Sequence, residues 1–160
     1  GFQALVKSGL LPYGNFEEAT ETSPTLFYND ANQHVAKMVE TRISNTNSPW
    51  LAGVKVGDIH AIPVSHGEGK FVVTDEEFAE LRDNGQIFSQ YVDFDGKPSM
   101  DSKYNPNGSI NAIEGITSKN GQIIGKMGHS ERYEDGLFQN IPGNKDQHLF
   151  RSAVKYFTGE

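Results

Sequence analysis

Residues 113–119 and 122–127 are two apolar, β-rich runs separated by Asn120-Gly121, a dipeptide that readily supplies the positive backbone angles of a tight hairpin turn. The pattern predicts two antiparallel strands, and so a sheet whose second hairpin strand must emerge at a known point. That point is Met127-Gly128-His129-Ser130-Glu131-Arg132. A histidine with a carboxylate two residues on can be a base and its orienter. The carboxylate holds one imidazole nitrogen, fixes the tautomer and stabilises the imidazolium, leaving the other nitrogen to take a proton from a nucleophile. His66-Gly67-Glu68 repeats the form upstream. So short a pattern recurs by chance, and taken alone both pairs read first as polar loop residues at strand ends.

The rest of the chain alternates helix and strand signals. Phe2, Leu5 and Val6 lie at helical spacing, with Gly9 as a C-terminal stop and Pro12 just beyond. Residues 13–24 read as a loop. Residues 25–28 and 35–43 are β-rich, the second with Val35, Val39, Thr41 and Ile43 on one face, and the two are expected to be neighbouring strands. Residues 58–65 read as a buried strand ending at His66-Gly67-Glu68-Gly69. Thr74-Asp75-Glu76-Glu77 is a capping box, opening a helix with Phe78 and Leu81 on its apolar face and Asn84-Gly85 as its stop. Residues 87–94 return as a strand. The turn-rich residues 95–109 form a loop long enough to be functional. Residues 147–157 place Leu149, Phe150, Ala153, Val154 and Phe157 on one side of an amphipathic helix.

Composition narrows the function. The 160 residues give one domain with enough chain for a substantial core, and 17 glycines with a mean hydropathy of -0.55 fit a loop-rich α/β or β-rich chain. A net charge of -7 argues against a nucleic-acid binder, because no broad face would neutralise phosphates. The absence of cysteine removes disulfides, thiolate metal sites and a thiol nucleophile from these residues. No apolar run approaches the roughly 20 residues of a membrane span, and the first residues carry no basic stretch followed by an apolar one. A cytoplasmic protein with no membrane partner is expected.

Gly1-Phe2-Gln3, Leu10-Leu11-Pro12, Ile62-Pro63-Val64-Ser65-His66-Gly67-Glu68-Gly69, Asn105-Pro106-Asn107-Gly108-Ser109 and Met127-Gly128-His129-Ser130-Glu131-Arg132 together resemble the glutamine amidotransferase domain of phosphoribosylformylglycinamidine synthase, a class I, Cys-His-Glu amidotransferase of purine biosynthesis. The resemblance runs in order over essentially the whole chain. It implies an α/β fold: the C-terminal part of a flavodoxin-like open mixed sheet flanked by helices. The ending, residues 148–157, is similar to that of the large, fused form of the synthase, which makes the synthetase domain of the same parent polypeptide the expected partner.

In that family the nucleophile sits in a Cys-Asn-Gly-Phe-Gln segment, whose last three positions match Gly1, Phe2 and Gln3. The resemblance therefore implies a cysteine two residues before Gly1, and a chain over residues 1–160 that is inactive alone. By the same match His129 is the general base and Glu131 its orienting carboxylate, acting on L-glutamine. Gln3 matches a position that helps hold the glutamine, and His66, Gly67 and Glu68 match a loop at the mouth of the active site. Gly67 and Gly69 would let backbone approach the ligand closely. Whether the His66 and Glu68 side chains take part stays open, and Arg132 reads as a surface residue.

ATP and magnesium belong, by this resemblance, to the synthetase part of the parent, and no Walker-type loop occurs here. No metal is expected in this chain. A rival reading takes His66, Glu68, His129 and Glu131 as metal ligands, and another takes the chain as a docking or structural module. Strand edges left without partners are expected to promote association of the chain when alone.

Overall fold

The computed structural model describes residues 1–159. In chain order the elements are α1 (Phe2–Lys7), the single turn α2 (Leu10–Tyr13), β1 (Thr25–Phe27), β2 (Val35–Ile43), β3 (Ile59–His66), β4 (Lys70–Val72), α3 (Asp75–Asp83), β5 (Ile87–Tyr91), β6 (Ile113–Thr117), β7 (Ile124–Lys126) and α4 (Leu149–Thr158). Phe2 and Val6, one turn apart, bury the inner face of α1, and the Phe2 ring stacks on Phe71 at 5.9 Å. Gly9 ends this helix in the left-handed region at φ 80°, where a β-carbon would sit 2.6 Å from the Glu17 amide nitrogen. No larger residue fits there without moving the chain.

The main sheet has the order β3-β2-β5-β6-β7, with β1 and β4 forming a separate two-stranded sheet. The α/β class with flanking helices holds. Within the part of the sheet that these residues form, all pairings among the described strands are antiparallel. One core joins α1, α2 and α3 to the sheet through Phe2, Leu11, Leu81, Val39, Ile113 and Ile116. A second, around Ile43, Phe88 and Leu149, seats α4 with the turn Pro49–Leu51.

The expected pairing of β1 with its sequence neighbour β2 is also corrected. Strand β1 pairs with β4, aligning Leu26 with Phe71. The cause is Asn29, buried between the strands. Its amide donates to the carbonyls of His66, at 2.7 Å, and Gln33, and its Oδ1 accepts from the Gly69 amide at 2.8 Å. That side chain ties the β1–β2 connection to the β3–β4 connection and carries β1 away from β2.

The hairpin of β6 and β7 closes through a four-residue loop, with the Ser118 amide donating to the Ile123 carbonyl at 2.9 Å. Gly121 is at φ 73°, while Asn120 is not among the positive-φ residues, so this is not the two-residue turn that needs positive φ at both centres. Of the capping box only half forms. Thr74 Oγ1 accepts from the Glu77 amide at 3.2 Å, but the Glu77 carboxylate turns to the Tyr13 hydroxyl at 2.9 Å.

The long loop before β6 is a scaffold. Asn105, Asn107 and Ser109 are fully buried, and Ser109 Oγ accepts from the Phe71 amide at 3.1 Å while donating to the Gly69 carbonyl at 3.2 Å. The anticipated apolar face of α4 is split. Leu149 and Ala153 are buried, whereas Phe150, Val154 and Phe157 are each more than half exposed, with Phe150 and Phe157 edge-on to Trp50.

Candidate active site

Strand β3 lies at one edge of the sheet, and its outer side is occupied by backbone from elsewhere. The Ala61 amide donates to the Asn144 carbonyl at 2.7 Å and the His129 amide to the Pro63 carbonyl at 2.9 Å. The end of β7 is thereby pulled across to the end of β3. Three successive amides fix the path. Met127 donates to the Glu114 carbonyl at 3.0 Å, Gly128 to the Glu114 carboxylate at 2.7 Å, and His129 to Pro63. A β-carbon on Gly128 would fall 2.6 Å from Ile62 Cγ2 and 2.9 Å from Glu114 Oε1, so the approach needs glycine.

His129 then begins the short turn Ser130–Arg132, whose tightness returns the Glu131 carboxylate to the ring. The imidazole Nδ1–H donates to Glu131 Oε1 at 2.6 Å. This fixes the tautomer in which Nε2 carries the free lone pair. His129 Nε2 is buried and has no hydrogen-bond partner among the described residues. Burial works against ionisation of Glu131, but the hydrogen bond from His129, its own backbone amide, and the charges of His129 and Arg132 outweigh it. The carboxyl is held below its ordinary range.

The His66 ring stacks on His129 with centroids 4.8 Å apart and planes 13° from parallel. Its Nε2–H donates to the Met127 carbonyl. Burial, then the charges of His129 and Arg132, push the His66 pKa below its ordinary value against the hydrogen bond to Met127. The two histidines and Glu131 line a cavity of about 480 Å³ that also takes in Gly1, Phe2, Trp50 and Phe150. Its walls are largely apolar with a few converging polar groups, the usual character of a small-molecule site.

Gln3 and Glu68 lie elsewhere. Gln3 Nε2 donates to Glu68 Oε2 at 2.6 Å and to the Leu26 carbonyl at 3.3 Å, and the pair lines a separate depression of about 260 Å³ with Lys7 and Tyr28. The four acids and histidines of the metal reading therefore do not converge. Gly67 accepts the Asn29 amide at 3.1 Å through its carbonyl and faces open space where a β-carbon would point. Gly69 has a different reason for being glycine: a β-carbon there would meet the Asn107 amide at 2.5 Å. Arg132 is half-exposed, 4.0 Å from Glu131.

Beneath His129 stands a charged pair that no motif marks. Glu114, with no exposed side-chain surface, pairs with Lys126 at 3.2 Å and accepts from Ser89 Oγ. Lys126 Nζ in turn donates to the Gly128 carbonyl at 3.1 Å and to Ser130 Oγ at 2.9 Å. A signal was present: Glu114 is the one charged residue in residues 105–118, and a lone charge inside a buried strand needs a partner.

The profile of the family described as CobB/CobQ-like glutamine amidotransferase domain matches residues 1–157. Similar curated proteins include the phosphoribosylformylglycinamidine synthase subunit PurQ of Thermomicrobium roseum, 36% identical over 135 residues, covering 84% of this chain and 52% of that protein. The corresponding PurQ of Gloeobacter violaceus is 32% identical over 154 residues, covering 96% of this chain and 60% of that one. A solved structure of PurLQS from Thermotoga maritima superimposes with a TM-score of 0.68 at 25% identity, over 98% of this chain and 58% of that chain. The chain thus spans only about half to three fifths of the length of these relatives.

Proposed function

Because the chain belongs to the CobB/CobQ-like glutamine amidotransferase domain family, we propose that it is the base-bearing part of a glutaminase that serves phosphoribosylformylglycinamidine synthase. His129 is the general base, Glu131 its orienting carboxylate, and L-glutamine the substrate. The observation that carries this reading is the unpartnered, buried His129 Nε2 in the cavity that Gly1 also lines. A cysteine two residues before Gly1 in the parent polypeptide would stand at that cavity's wall.

Nε2 takes the thiol proton, and the thiolate attacks the side-chain amide carbon of glutamine. The His129 imidazolium, stabilised by Glu131, gives its proton to the departing nitrogen, releasing ammonia and leaving a thioester. Water, deprotonated by the same nitrogen, then releases glutamate. The ammonia is consumed by the synthetase, where formylglycinamide ribonucleotide is converted to its amidine at the expense of ATP. ATP and magnesium are assigned to that part, since the present sequence has no Walker-type loop.

Gln3, His66, Gly67 and Glu68 are assigned to the glutamine side of the site. Gln3 and Glu68 line a depression separate from the cavity of His129, and their place at the amino-acid end of the substrate rests on the family match alone. We assign the synthetase to the same polypeptide on the ending formed by residues 148–157; the PurQ relatives are subunits, and the length of the parent gene decides between the two arrangements. The cheapest test is the codons upstream of Gly1: Cys-Asn is expected there, and any other pair removes the nucleophile from the scheme.

A further inference from the structure

Glu114 and Lys126 are two charged side chains that the mechanism leaves unused. Glu114 has no side-chain exposure and Lys126 keeps 10%, with 3.2 Å between them. Burying such a pair adds little stability over apolar residues of the same shape, so stability does not account for it. Its hydrogen bonds indicate another use. The Glu114 carboxylate holds the Gly128 amide, while the Lys126 ammonium holds the Gly128 carbonyl and the Ser130 hydroxyl. Ser130 Oγ passes its own hydrogen bond to Gln147 Oε1 at 2.5 Å. Both chain neighbours of His129 are thus clamped by one ion pair, and Pro63 takes the His129 amide. Only side-chain torsions remain free, and Glu131 and the His66 stack limit those.

We propose that the buried Glu114–Lys126 pair is the positioning device of the catalytic base, holding the His129 backbone so that Nε2 stays aimed into the cavity shared with Gly1. The proposal rests on the reading of His129 as the general base. Both residues are positioning residues: each acts through the backbone on either side of His129. Charge gives the clamp its directionality, because ionised donors and acceptors make shorter and stronger hydrogen bonds than neutral ones.

The test is glutamine-dependent turnover in the full-length parent. The double variant Glu114→Gln/Lys126→Met removes both charges together and so leaves no unpaired charge buried. It is expected to melt near the wild-type temperature yet lose about tenfold to a hundredfold in kcat, the scale of an ångström-size misplacement of a reacting group, with KM for glutamine little changed and ammonia-dependent synthesis intact. Lys126→Arg, which keeps the charge and the donors, should recover part of the loss. Wild-type kcat in the folded double variant overturns the proposal. Should that variant not fold, Ser130→Ala decides: it deletes one Lys126 acceptor and leaves the ion pair whole, and a drop in kcat at constant KM supports the clamp while an unchanged kcat overturns it. His129→Ala in parallel separates the two readings. If it retains glutamine turnover, the general-base assignment itself has failed; if it is inactive while the clamp variants are normal, only the clamp has.

Discussion

The imidazole of His66 lies face to face with that of His129, 4.8 Å between centroids and 13° from parallel. Two imidazolium rings at that distance would repel each other in a partly buried site, so the stack tolerates one charge and resists two. Burial pushes the His66 pKa below its ordinary value, so at neutral pH this ring is the uncharged member of the stack.

Stability should therefore fall on acidification from neutrality. His66 and His60 both have pKa values lowered chiefly by burial. As pH drops through about 6.5, the unfolded chain takes up protons that the folded one refuses, and stability declines until the lowered folded values are passed. Above that window neither group contributes. Thermal melts of the parent between about pH 7.5 and pH 5 should show this slope, and His66→Gln should flatten it, leaving the part due to His60. An unchanged slope in the variant would show that His66 is not held neutral.

Glu131→Gln should lower glutamine turnover by about a hundredfold, within the range for loss of a positioned acid–base partner, because the amide can offer Nδ1 an N–H and favour the wrong tautomer. Since the Glu131 carboxyl lies below its ordinary range, its ionised form persists until the pH falls through that lowered value. The acid limb of the wild-type rate profile near neutrality should then come from another group, and a limb that follows Glu131 would contradict the tautomer argument.

Gly128→Ala places a methyl carbon 2.6 Å from Ile62 and 2.9 Å from Glu114 Oε1. Overpacking of this kind costs about 1–3 kcal/mol. Urea melts should show that loss together with reduced glutamine turnover, whereas Gly67→Ala, facing open space, should leave stability unchanged and act on KM for glutamine if at all. A Gly128→Ala protein of wild-type stability would mean the β7–β3 crossing is looser than described.

Gln3→Ala should raise KM for glutamine by about tenfold at near-constant kcat, the signature of lost uniform binding. An unchanged KM would reduce Gln3 to an ordinary helix residue that happens to meet Glu68.

What could be read from the residues was what is local. Asn120-Gly121 marked the hairpin, Thr74 marked the start of α3, and His129-Ser130-Glu131 formed a dyad because a two-residue separation closes through one tight turn. Contacts that depend on register could not be read. Glu114 meets Lys126 only once β6 and β7 align Gly115 with Lys126, and the pairing of β1 with β4 rests on one buried amide, Asn29, in strands too short for periodicity to mark. The half-exposed face of α4 was equally invisible, since spacing gives an apolar stripe but not what covers it.

One nitrogen, His129 Nε2, carries the proposed chemistry, and one variant isolates it. In the full-length parent, His129→Ala should reduce glutamine-dependent synthesis by about a thousandfold, as loss of an acid–base group and its activated nucleophile would, while synthesis from added ammonia proceeds at the wild-type rate. Glutamine-dependent synthesis at the wild-type rate in that variant would contradict the assignment.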